Sequence, residues 1–114
     1  MKIYIAGKYS GIPHQTAVDK FAETERQLIE AGIPQDNIVN PMELGIHKDT
    51  PWVDAMKTCV KHLHLCDAVF IQKDWKGSFG ARKEITIADQ MNLNLYWEDR
   101  GDIKNIEVLI AMGT

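Results

Sequence analysis

Short apolar runs that favour β-structure alternate along this chain with longer stretches whose apolar residues recur at helical spacing. Lys2–Ala6 is rich in β-formers and stopped by Gly7, which predicts a first strand. Residues 8–15 contain Gly11 and Pro13 and read as a loop. From Thr16 the spacing becomes helical, with Val18, Phe21, Ala22, Leu28 and Ile29 on one face. Thr16 with Asp19 resembles a capping box, and Gly32 with Pro34 supplies a stop. Asn37–Asn40 is a brief second strand closed by Pro41, and residues 41–50 form a polar loop. Thr50 reads as an N-cap with Pro51 at the first helical position, followed by Trp52, Met56, Cys59, Val60 and Leu63. Asp67–Ile71 is a third strand. The loop over residues 72–80 leads into a helix lined by Ala81, Ile85, Ala88 and Met91. Asn94–Trp97 is a fourth strand, and Asp102 caps a closing segment with Ile103, Ile106 and Ile110 on one face.

Strands this short, separated by helices, predict a parallel sheet covered on both faces, hence an open, doubly wound, three-layer α/β domain. The expected strand order is 2-1-3-4, with the tail as a candidate fifth element. In such sheets ligands bind beyond the carboxyl ends of the strands. The loops after the first three strands should therefore share one rim.

Composition narrows this picture. The 114 residues suit a single domain spanning 1–114, without internal repeat or linker. A formal net charge of −3 argues against a nucleic-acid module, which needs a basic stripe, and no apolar run approaches the roughly 20 residues of a membrane span. A strand at the very start leaves no room for a signal peptide, so a cytoplasmic protein is expected. Cys59 and Cys66 lie seven positions apart on one predicted helix, a rise of roughly 10 Å. That is too far for a mutual disulfide, and free thiols fit a reducing compartment. His62 and Cys66 have the spacing of a metal pair, but no third ligand lies near, so no metal or redox cofactor is implied.

The richest stretch chemically is Asp74–Glu84 (DWKGSFGARKE), where two glycines and a serine lie between a strand and a helix. Such a turn offers free N–H groups and a positive helix end to an anion; equally, its glycines serve turn geometry. Glu84 shares a helical line with Ala88 and Met91. It reads either as a nucleophile or general base facing the rim, or as a charge at the border of the stripe that reaches solvent. Lys8 and Ser10, in the first loop, suit contact with phosphate or ribose, or simple solvation. Trp75 suits stacking on a base, or packing over the sheet edge. Tyr4, inside the first strand, is core by default.

The segments KIYIAG, NP at 40–41, CDAVF at 66–70 and DW followed by GSFGARKE resemble a small family of unknown function, DUF4406. That family is related to nucleoside 2-deoxyribosyltransferases and deoxynucleoside 5′-monophosphate N-glycosidases. The resemblance covers roughly residues 1–97 and is most specific at Ser78-x-Gly80-x-x-x-Glu84. It implies a flavodoxin-like, Rossmann-like fold and N-glycosidic chemistry on a nucleotide or nucleoside. Glu84 matches a nucleophile that attacks the anomeric carbon, in the double-displacement manner of retaining glycosidases. Tyr4 matches a tyrosine beside the sugar, Ser78 a serine on the 5′-phosphate, and Gly7 and Gly80 glycines that let backbone approach the ligand. Two positions depart from the pattern. Cys59 stands where an aspartate acid is expected, and Lys8 replaces a serine. The resemblance further implies a homo-oligomer. The competing expectations are a non-catalytic nucleotide sensor and an oligomeric scaffold with a vestigial pocket.

Overall fold

Residues in the strands sort by parity, and that sorting builds the three layers. The computed structural model describes residues 1–113. In it β1 (Ile3–Ala6), β2 (Ile38–Val39), β3 (Ala68–Ile71) and β4 (Asn94–Trp97) form one parallel sheet in the order β2-β1-β3-β4. The strands alternate with α1 (His14–Glu30), α2 (Trp52–Leu63), α3 (Phe79–Gln90) and α4 (Ile103–Ala111). This is the flavodoxin-like layout that the alternation predicts. Tyr4 pairs in register with Val69, and Ile5 with Phe70.

One face of the sheet presents Tyr4, Ala6, Val69 and Ile71, which pack with Ala55, Cys59 and Leu63 of α2 and Ala88 of α3. The other presents Ile3, Ile5, Ala68 and Phe70, which pack with Phe21 and Leu28 of α1 and Ile106 of α4. Because β1 and β3 are covered on both faces, all eight of their residues are buried. β4 is the partly exposed edge. Asp67 precedes β3, and its carboxylate accepts the Lys2 N–H at 2.9 Å, fixing the entry of both central strands.

Several boundaries differ from the sequence expectation. α1 begins at His14, after Pro13, so Thr16 lies inside the first turn and no capping box forms. Its buried line is Ala17, Phe21, Thr24 and Leu28, while Ala22 and Ile29 are exposed and Val18 is only half-buried. Polar Thr24 holds a core position because its hydroxyl accepts from Gln72 Nε2 at 2.8 Å, a partner that hydrophobicity alone does not reveal. Pro51 is the N-cap of α2, and Thr50 instead accepts the His47 N–H at 2.8 Å within the preceding loop. α3 starts at Phe79, two residues before the expected apolar line. The tail forms α4, in keeping with the one-face spacing of Ile103, Ile106 and Ile110, and adds no strand to the sheet. Asp102 makes no cap bond there; it accepts from the Trp97 N–H and from the Asn105 amide, both at 2.8 Å.

α1 ends in a Schellman motif. The Ile33 N–H reaches Leu28 O at 3.1 Å and the Gly32 N–H reaches Ile29 O at 3.0 Å, with Gly32 at φ +110°. A Cβ on Gly32 would also lie 2.9 Å from Ile110 Cγ2 of α4. Gly32→Ala should therefore lower unfolding free energy by about 1 kcal/mol or more in urea denaturation. Gly45, at φ +81° with open space around it, should lose less on the same change because only the backbone strain applies.

Candidate functional site

Glu84 projects from α3 toward the sheet, not toward solvent, and is 1% exposed. Two elements bring its partners together. β1 supplies Tyr4, wholly buried, whose hydroxyl donates to a Glu84 carboxyl oxygen. α2 supplies Cys59, also wholly buried, whose thiol lies within hydrogen-bonding reach of the Tyr4 and Tyr9 hydroxyls. Burial dominates the electrostatics of this group. It raises the Glu84 carboxyl from the usual carboxylate range to about 8, opposed by the Tyr4 hydrogen bond. Burial, with the Glu84 charge second, pushes the Cys59 thiol to about 12 and the Tyr4 phenol well above its ordinary value. At neutral pH the closed site therefore holds a mostly protonated carboxyl, a phenol and a thiol, and no strong acid takes the position of Cys59.

The structure explains why α2 and α3 meet here. Ser78 caps α3, its hydroxyl accepting the Ala81 N–H at 3.1 Å. Gly80 follows on the buried side. A Cβ there would sit 3.1 Å from Met56 Sδ and 3.6 Å from Trp52 Nε1, so a bare backbone allows α2 to close against the start of α3. The Ser78–Gly80 turn is thus occupied by helix packing. Gly7 is likewise covered, since a Cβ would fall 1.8 Å from Gln72 Oε1.

The first loop lies at the mouth. The Lys8 N–H donates to Asp74 Oδ1 at 3.2 Å, and the Lys8 carbonyl accepts from Lys20 Nζ at 2.5 Å, which ties this loop to the one after β3. Lys20 also pairs with Asp74 at 2.7 Å. Ser10 is exposed and lines a cavity of about 260 Å³ together with Tyr9, His14, Ile46, His47 and Trp52. Trp75 does not line that cavity. It packs edge-on against Trp97, ring centroids 5.2 Å apart, and its indole N–H is buried without a partner among the described residues.

So the structure unites Tyr4 with Glu84 and places Ser10 at a cavity, while Lys8, Trp75, Ser78, Gly80 and Gly7 lie outside that cavity's lining in packing or loop-tying positions. Tyr9 was not singled out by sequence reasoning, although an aromatic residue two places after a strand-ending glycine was a usable signal.

Because the folded-state pKa of Glu84 lies above its unfolded value, the native state binds the extra proton between pH 4.5 and about 8. Stability contributed by the neutral carboxyl is full below this window and is lost as pH rises through it, by up to about 5 kcal/mol. Urea denaturation from pH 5 to pH 9 should show this fall in the wild type, and Glu84→Gln should flatten it.

No curated protein and no solved structure matches the chain. One family model does, that of a domain of unknown function (DUF4406), over residues 1–97. The matched region runs from β1 through β4 and includes Tyr4, Cys59, Ser78, Gly80 and Glu84. With most of its length matched, the chain belongs to the DUF4406 family.

Proposed function

We propose that this protein binds a nucleotide or nucleoside and cleaves its base–sugar bond through Glu84. The observation that carries this reading is the buried Glu84 carboxyl held by the Tyr4 hydroxyl beneath the strand-end loops. It adds to the resemblance of this family to the deoxyribosyltransferases and nucleotide N-glycosidases. A carboxylate in a desolvated place, oriented by one fixed donor, is a competent nucleophile toward an anomeric carbon. In the first displacement an ionised Glu84 oxygen bonds to that carbon and the carbon–nitrogen bond breaks. The base departs with the electron pair and takes a proton from solvent. Water, or a second base, then attacks the same carbon and releases Glu84 as carboxylate. Lys8 and Ser10 contact the sugar or phosphate at the mouth, while Trp75, Gly7, Ser78 and Gly80 support the site from packing positions behind it. The protein works without metal or redox cofactor, in the cytoplasm, where its two buried free thiols stay reduced.

A second reading is favoured by Cys59. A thiol pushed to about 12 is a poor proton donor to a leaving base, which suits a sensor that binds without turnover. Nucleosides and 5′-monophosphates at millimolar concentration, tested by thermal shift with chromatography of the same tubes, separate the two. A ligand adds RT ln(1 + [L]/Kd) of stability, about 1.4 kcal/mol at tenfold excess over Kd. The cleavage reading expects stabilisation with free base, release rising with pH toward a plateau above about 8, and at least a ~1000-fold loss in Glu84→Gln with binding kept. Stabilisation without free base selects the sensor, and no stabilisation by any member removes the nucleotide reading.

The proposal includes a homo-oligomer. Its support is an apolar face on α2 and α3, where Val53 and Phe79 are 55% and 54% exposed and Trp52 packs on Phe79 with ring centroids 5.6 Å apart. Light scattering should show more than one chain per particle for the wild type and a monomer for Val53→Glu.

A further inference from the structure

Tyr4, Cys59 and Glu84 form a chemically unusual group that lines neither the cavity at the mouth nor the surface. Tyr9, Ile46 and Ala55 line the cavity and also pack in the cluster around Tyr4 and Cys59; Ile46 and Ala55 are buried, and of the three Tyr9 alone carries a polar group. Tyr9 is a wall of the cavity, and its ring packs against the cluster that contains Tyr4 and Cys59. Its hydroxyl donates to Met56 Sδ at 3.6 Å and lies within reach of the Cys59 thiol. Thioether and thiol sulfur are both weak hydrogen-bond partners, so these contacts cost little to break. Tyr9 lies in the loop between β1 and α1 and is only half-buried, whereas the residues on its inner side are fixed in strands and helices. The cavity beyond it is walled by His14, His47 and Trp52, a lining that suits a flat ring with an anionic end.

We infer that the 260 Å³ cavity is the route to the Tyr4–Glu84–Cys59 group and that the Tyr9 side chain is the movable wall between them. Swinging Tyr9 off Met56 joins the two spaces while the sheet and both helices stay in place. The closed position shields the carboxyl from water; the open one exposes it to whatever fills the cavity. Only the identity of the guest rests on the nucleotide reading, and the route does not.

Cys59 reports on this opening without any nucleotide. In a Cys66→Ala background it is the sole thiol, and methyl methanethiosulfonate modifies it with loss of methanesulfinate, a change read by mass spectrometry. Tyr9→Ala should raise the modification rate at least ~10-fold with the circular dichroism spectrum unchanged, and His47→Ala, which lines the cavity but does not pack in the cluster around Cys59, should stay within about twofold. With Tyr9 intact the slow rate should be independent of urea well below the unfolding midpoint, the mark of a local opening. A Tyr9→Ala rate equal to that of the background, an equal rise in His47→Ala, or a background rate that tracks global unfolding would each overturn the inference. If Tyr9→Ala does not fold, the urea dependence of the background alone decides.

Discussion

The Tyr4 hydroxyl donates to the Glu84 carboxyl at the seam between β1 and α3, and the surrounding architecture depends on this contact. A carboxyl that is 1% exposed is tolerated only if it is neutral or well partnered. Here it is both hydrogen-bonded and pushed toward its neutral form. The contact also requires α3 to stand close to the sheet with its second turn facing inward. The Ser78 cap starts the helix at the required point, and Gly80 removes the side chain that would hold α2 away. With α2 seated, Cys59 completes the group from the third side.

This arrangement joins two properties that pull in different directions. A neutral, sealed carboxyl stabilises the closed domain, yet a nucleophile must be ionised and reachable. In the proposed reading, opening at Tyr9 reconciles them, since hydration lowers the penalty on the charged form at the moment the carboxyl is needed. Cys59 sharpens the constraint: its thiol is suited to packing beside two phenols and not to delivering a proton. In the proposed cleavage, a leaving base would therefore take its proton from solvent, which favours bases that leave readily.

How much of this was legible in the residues depends on how local each signal is. The strands declared themselves because β1 and β3 are buried on both faces and read as unbroken apolar runs, and their order followed from alternation with helices. Glu84 was visible because a carboxylate beside Ala88 and Met91 is out of place on an apolar stripe. Its partner was hidden, since Tyr4 in a strand looks like any core aromatic and the bond joins residues 80 positions apart. The slip in the face of α1 has the same origin, a polar Thr24 made welcome by Gln72 of a distant loop. For Ser78 and Gly80, the motif was recognisable but its local use was not, because the packing of Met56 and Trp52 onto that turn is a tertiary fact.

Titration of the Glu84 side-chain carboxyl by carbon-13 NMR, in wild type and in Tyr4→Phe, tests the central claim most directly. The account predicts an apparent pKa near 8 in the wild type and a higher one in Tyr4→Phe, because the lost hydrogen bond favoured the charged form. A wild-type value near 4.5, unmoved by Tyr4→Phe, would show an ordinary solvated carboxylate and contradict it.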